Sequence, residues 1–327
     1  MVLFRIAASV VLAVCSLWAA AALYMDLRVA KLRLPVALLF VVLVALVMFK
    51  IRPFPRAIAC GFGLFGAVLV WWLLIAPTND ANWLADVARS PWTEIQGEQL
   101  TIHNLRNFGY KSELDYLPNW ETRTVDLSKL TGVDLFVNFW GSPHIAHLIL
   151  SFQFEHAPAV AFSIETRKTV GQEYSAVLGF FRQFALIYVV GDERDLVRVR
   201  TNYRKGEDLY LYHLTLSPTV SRSLLLNYLK PLNELHRAPV WYNALTHNCT
   251  TSIVPMLAAA SGTSVPLDWR ILLSGHMDEM LYQRKQLAGD LPFADLKRRA
   301  HINDAARAAN DSPEFSRLIR VNRPGFN

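Results

Sequence analysis

VDLFVNFWGSPHIAHLILSFQFEHAPAVAFSIETRK, residues 133–168, holds three apolar runs parted by short turn segments: DLFVNFW (134–140), HIAHLILSFQF (144–154) and APAVAFSIE (157–165). Each is rich in β-branched and aromatic residues, and their spacing predicts consecutive strands of an antiparallel sheet. ALIYVV (185–190), DLVRVRT (195–201) and EDLYLYHLTLS (207–217) read as further extended stretches. The period then becomes helical over 218–237, with Leu224, Leu225, Tyr228, Leu229 and Leu232 on one face. A second helix is expected from near Cys249 to Gly262, kinked or shortened by Pro255, and a third near Arg270–Leu287. The polar stretch 78–130, with Trp83, Trp92 and Trp120, reads as a connecting subdomain.

Upstream the character changes. Ile6–Met25 and Ala57–Ala76 are uncharged, mostly apolar runs of twenty residues, and Leu34–Phe49 is a shorter one of sixteen. Crossing hydrocarbon takes roughly 17–25 residues, so three transmembrane helices are expected within a membrane anchor, 1–77. Basic loops, DLRVAKLR (26–33) and KIRPFPR (50–56), separate them, and Trp71 and Trp72 lie near the end of the third, as interfacial aromatics do. A cleaved signal peptide with its processing site at Ala19–Ala22 is the alternative, but the first run exceeds the usual signal core. With the N-terminus inside, three spans put residues 78–327 outside the cytoplasmic membrane, although flanking basic charges are nearly balanced between the sides.

The formal net charge is +6, with 53% hydrophobic and 18% charged residues, which excludes a disordered chain. The excess belongs entirely to the anchor, where Arg5, Arg28, Lys31, Arg33, Lys50, Arg52 and Arg56 face one acid, Asp26. Residues 78–327 are neutral, and a neutral domain lacks the electrostatic footprint for phosphate backbones. Nucleic acid is not an expected partner.

Chemistry concentrates in PVWYNALTHNCTTSIVPMLAAASG (239–262). Cys249 is the only cysteine beyond the anchor, so that region has no internal disulfide. An Asn-Cys pair opening a helix places the thiol at free N–H groups and the positive end of a dipole, an arrangement expected to lower its pKa. The same N–H groups can stabilise an oxyanion. Asn248 could cap the helix or donate to that oxyanion. A base must come from elsewhere in the chain, and His144 and His147 are candidates on one predicted strand. They differ by three positions, so only one can point at a given site. His247 is too near Cys249 along the chain and is expected to shape the loop. Arg198 and Arg200 are candidates for an anionic headgroup, with a salt-bridged surface as the plainer reading. Metal-ligand spacings and glycine-rich phosphate loops are missing from the sequence, and no cofactor is expected.

The segments VDLFVNFWGSPHIAHLILSFQF, AFSIETRK, GFFRQFALIYVVGDERDLVRVRTNYR and WYNALTHNCTTSI resemble the Lnb N-terminal periplasmic domain family over most of residues 100–320. This family, once a domain of unknown function, is similar to circularly permuted papain-like, NlpC-type cysteine enzymes. The resemblance implies an α+β domain with an antiparallel sheet and a cysteine-bearing helix at 131–265, then a helical extension at 266–327. It assigns Cys249 as nucleophile, His147 as base and Glu165 as the orienting group, with His144 the rival base. The chain departs from the family at Ala185, where an acidic residue is common. Lnb proteins are linked to lipoprotein N-acylation. The resemblance thus implies a multi-pass bacterial inner-membrane enzyme with a periplasmic domain, acting as a thiol acyltransferase or hydrolase with phospholipid and lipoproteins as partners. A cell-envelope cysteine peptidase or amidase, and a catalytically silent membrane scaffold, are the alternatives.

Overall fold

The computed structural model describes residues 2–265 and 267–326; Met1, Pro266 and Asn327, at the ends of expected segments, lie outside the described residues. The chain divides into two compact units.

The first unit begins with three helices, α1 (Val2–Asp26), α2 (Ala30–Lys50) and α3 (Phe54–Leu73). Each is long and apolar enough to cross a membrane. They start and stop within a few residues of the expected runs, because charged and proline-bearing turns interrupt apolar sequence there. Without a hydrophobic driving force between lipid-facing surfaces, such helices associate through small residues. Ala19, Ala22 and Ala57 are buried between them, and a Cβ at Gly61 would lie 2.6 Å from Leu12 Cδ2. Trp72 Nε1 donates to Asp26 Oδ2 at 2.7 Å, joining the C-terminal ends of α1 and α3, so these two helices run in the same direction. Two later segments, Glu173–Ala185 and Val240–Ala244, belong to this unit as well. The expected anchor did not include them.

The second unit is built on one sheet. Its strands are β1 (Trp92–Gln96), β2 (Gln99–Arg106), β5 (Trp120–Asp126), β6 (Leu130–Trp140), β7 (Ser142–Phe154), β8 (Ala157–Arg167), β9 (Ala185–Gly191) and β10 (Glu207–His213). A separate hairpin is formed by β3 (Gly109–Tyr110) and β4 (Tyr116–Leu117). The order is β1-β2-β9-β8-β7-β6-β10, with β5 also paired to β2. The β6–β7–β8 meander is antiparallel as expected, whereas β2 meets β9 in parallel through Arg106–Gly191. The architecture is α+β, with the sheet mainly antiparallel. Segment 78–130 is not separate from it, since β1, β2 and β5 hydrogen-bond into the same sheet.

Two helices lie against this sheet, α5 (Pro218–Arg237) and α6 (Cys249–Ala260). Ser217 caps α5, Pro218 opens it, and the five apolar residues expected on one face are all buried. The opposite sheet face is covered from the C-terminal region, where Ile302, Ala306, Phe315 and Ile319 join a core with Phe136, Ile149 and Ile187. Edge strand β10 is shielded by bridges from Leu214 to Leu287 and Tyr210 to His301, which blunts edge pairing.

Two expected elements are corrected. DLVRVRT forms no strand: α4 (Glu193–Leu196) is followed by a π-helical turn, Val199–Tyr203. Its alternating arginines mimic a half-exposed strand, yet Arg198 and Arg200 are both buried and paired with distant carboxylates, Asp311 and Glu165. The helix expected over Arg270–Leu287 is broken into two 3₁₀ turns, Trp269–Ile271 and Ser274–His276, before α7 (Met277–Gln283). Backbone contact explains the break. A Cβ on Gly275 would sit 2.3 Å from the Pro143 carbonyl, and Ser274 Oγ accepts from the Ala146 amide at 2.9 Å. The chain ends with α8 (Phe293–Ala300), α9 (Asn303–Ala309) and α10 (Phe315–Leu318).

Candidate active site

Side chains alternate across β7. Leu148 and Leu150 point to the α5 and α6 side, where they line an apolar cleft with Leu135, Leu224, Ile253 and Val254. Ile149 enters the core on the other side with Phe136 and Ala161. His147 shares the side of Ile149, and there its Nε2 meets Ser163 Oγ at 2.6 Å. The body of α6 lies on the first side, but its tip reaches the strand itself. The Cys249 sulfur is hydrogen-bonded to the backbone of Leu148, the residue following His147. The β7–β8 ladder has its last pair at Ile149–Ser163, so the thiol meets β7 where the two strands part.

Cys249 is the first residue of α6. Asn248 is its N-cap in a capping box: Asn248 Oδ1 accepts from the Thr251 amide at 2.9 Å, and Thr251 Oγ1 accepts from the Asn248 amide at 3.0 Å. Asn248 is thus a cap, one of the two roles open to it from the sequence. Burial pushes the Cys249 thiol up from its ordinary value, against the pull of the Leu148 backbone, the Thr250 hydroxyl and the Thr250 and Cys249 backbone. The expected lowering is therefore corrected. The helix terminus does favour the thiolate, but removing the sulfur from water outweighs it.

His147 opens a chain of polar contacts. Ser163 Oγ donates to Glu165 Oε1 at 2.7 Å, so the His147 Nε2–H must donate to Ser163 and leaves the lone pair on Nδ1. Arg200 Nη2 donates to the same Glu165 oxygen at 2.6 Å. Burial pushes the Glu165 carboxyl up, but Arg200, with His147, Arg204 and Arg106 beyond it, draws it well below the usual carboxylate range. The His147 side chain is only 14% exposed. Burial, with Arg200 and Arg204, brings its pKa down to about 4 against the opposing pull of Glu165. Both the thiol and the imidazole are neutral at pH 7. Asn138 lies opposite His147 across β6–β7, buried, with Nδ2 donating to Glu207 at 2.6 Å.

The histidine makes the fold sensitive to acid. An unfolded histidine takes its proton near 6.5 and this one only near 4, so stability is complete above about pH 6.5 and declines as the pH falls through that window. Melting temperatures measured from pH 7 to pH 4.5 should therefore fall more steeply for the wild type than for His147→Gln. Parallel curves would show that His147 is not held neutral.

The other sequence candidates have different neighbours. His144 is exposed, and its Nδ1 is 2.9 Å from His276 Nε2. Arg198 pairs with Asp311, and Arg200 serves Glu165 and the Leu196 carbonyl. Both guanidinium groups are committed inside the fold, so neither is presented to a headgroup. His247 lies in the loop before Cys249, its Nδ1 2.9 Å from Thr246 Oγ1. Ser163 was missed: a serine in a strand carries no sequence signal, and only pairing across β7–β8 puts it between His147 and Glu165. Among the described residues, no group of three or more His, Cys, Asp or Glu side chains could hold a metal.

Residues 116–275 match the family model of the Lnb N-terminal periplasmic domain, a segment that includes His147, Ser163, Glu165 and Cys249. No curated protein and no solved structure matches the chain. Three apolar helices ahead of a domain of periplasmic type describe a membrane protein whose C-terminal part faces the periplasm. The resemblance read from the sequence therefore holds: residues 116–275 match the model of the Lnb N-terminal periplasmic domain family.

Proposed function

We propose that this protein is an inner-membrane thiol acyltransferase that takes a fatty acyl group from phospholipid and passes it to an amine, with a lipoprotein as the acceptor. The domain would then be a permuted papain-like fold of NlpC type, with Cys249 as nucleophile, His147 as base and Ser163 with Glu165 orienting the imidazole. The observation carrying this reading is the apolar cleft that starts one helical turn from the thiol. Ile253 and Leu257 follow Cys249 along α6, and with Leu148, Leu150, Met277 and Leu281 they border a cleft of about 50 Å³ that opens to solvent, where an alkyl chain could enter. Such a wall suits an alkyl chain and offers little to a peptide.

His147 Nδ1 takes the thiol proton as sulfur attacks the ester carbonyl. The N-terminal amides of α6 stabilise the oxyanion, and the lysophospholipid alcohol leaves with that proton. The acceptor amine then attacks the thioester, forms an amide and returns a proton to sulfur. With thiol and imidazole both neutral, the proton moves at the moment of attack and not from a standing thiolate–imidazolium pair.

The protein in nanodiscs with radiolabelled phospholipid should form a hydroxylamine-sensitive acyl adduct on Cys249, identified by mass spectrometry. Leu257→Trp, which narrows the cleft, should slow acylation from palmitoyl lipid about tenfold or more while sparing octanoyl lipid. Equal loss for both chains would remove the cleft from substrate binding. No adduct with any lipid would end the acyl-transfer reading.

A further inference from the structure

The segment Glu173–Ala185 belongs to the same compact unit as the three apolar helices. Its attachment is specific. Asp26, at the end of α1, accepts from the Arg182 amide at 3.1 Å and from Gln183 Nε2 at 2.6 Å, while also holding Trp72 of α3. Gln183 Nε2 also donates to the Met25 carbonyl at 2.9 Å, and the Arg182 guanidinium lies over the Trp72 ring, 4.2 Å from its centroid. Tryptophan and charged side chains at the end of an apolar helix mark the membrane–water boundary. The segment is therefore pinned at that boundary.

Its own side chains are sorted in a way that water does not explain. Phe181 and Phe184 are buried, whereas Tyr174, Val177 and Phe180 are 44%, 58% and 39% exposed. A short loop turning three such residues outward presents an apolar surface, which on a soluble protein marks a contact site. The neighbouring Val240–Ala244 segment is tied in alongside it. The Tyr242 amide donates to Phe184 O at 2.9 Å, the Ala244 amide to Gly179 O at 2.8 Å, and Trp241 Nε1 to Ile75 O at 2.7 Å. The exposed side chains thus belong to a loop fastened to α1 and α3 at the level of their C-terminal ends.

We propose that the loop 173–185 is a second membrane-contacting element, with Tyr174, Val177 and Phe180 immersed in the lipid leaflet at the ends of α1 and α3. The bilayer is the partner, held by apolar burial as in interfacial segments. The proposal depends on the three helices spanning the membrane and not on the acyl-transfer reading.

The test uses the full-length chain in nanodiscs, with Cys15, Cys60 and Cys249 replaced by serine and a nitroxide attached at Val177→Cys or Phe180→Cys. Both positions are exposed, so the label displaces no core. Leu38→Cys, an exposed position on α2, provides the lipid reference, and free label in buffer the aqueous one. Power saturation should show labels 177 and 180 accessible to oxygen and shielded from a water-soluble nickel chelate, at a depth shallower than label 38. Nickel accessibility at both positions equal to that of free label would overturn the proposal. Whatever the enzymatic result for Cys249, this measurement stands by itself.

Discussion

Cys249→Ser should lose acyl transfer by about 10³-fold or more while the protein remains folded and membrane-inserted. Serine is nearly isosteric with cysteine, so the packing change costs less than about 1.5 kcal/mol. A hydroxyl ionises at far higher pH than a thiol, and burial, which already raises the Cys249 thiol, would raise it further. The α6 amides and one imidazole cannot make up that difference. His147→Ala should fall to a similar level, and the double variant should be no worse than either single one, because nucleophile and base act as a unit. Cys15→Ser and Cys60→Ser, within the helical anchor, should retain wild-type rates. The measurement is single-turnover formation of the acyl adduct, with circular dichroism and membrane fractionation as controls. Wild-type rates in Cys249→Ser would end the thiol mechanism. Lost expression instead would identify Cys249 as a structural residue.

Asp195→Ala should destabilise the large unit by about 3–5 kcal/mol, because it strands a buried arginine. Asp195 is fully buried and receives Arg106 through three contacts of 2.8–3.1 Å. It also accepts from the Phe108 amide at 2.8 Å and the Tyr110 hydroxyl at 2.9 Å. These bonds tie α4 to the end of β2 and to the small β3–β4 hairpin. At roughly 2–4 °C per kcal/mol for a unit of this size, the melting temperature should drop by about 10 °C. Asp195→Asn keeps the shape and some of the acceptor capacity, so it should fall between the two. The check is thermal unfolding in detergent at constant protein concentration. An unchanged melting temperature in the alanine variant would mean that Arg106 finds water or another partner.

Several features were legible in the residues alone because they follow from local chemistry. The three apolar helices are a matter of run length and flanking charge. The β6–β7–β8 meander follows from apolar runs separated by turns, and α5 from a 3.6-residue apolar period opened by Ser217 and Pro218. The cap at Asn248 and a helix opening at Cys249 were readable for the same reason.

Other features depend on partners distant in sequence. VRVR alternates like a strand, yet it coils because Asp192 caps a turn and because Glu165 and Asp311 receive its arginines. The break near Gly275 exists only because strand backbone passes too close for a Cβ. The thiol's upward shift reflects burial of the sulfur, which outweighs the opposing Leu148 backbone, and no helix-terminus rule reading α6 alone could supply it. Sequence spacing could propose Cys249, His147 and Glu165 separately. Strand pairing alone set Ser163 between the imidazole and the carboxylate, since hydrogen bonds form across a ladder whose register brings residues sixteen apart into contact.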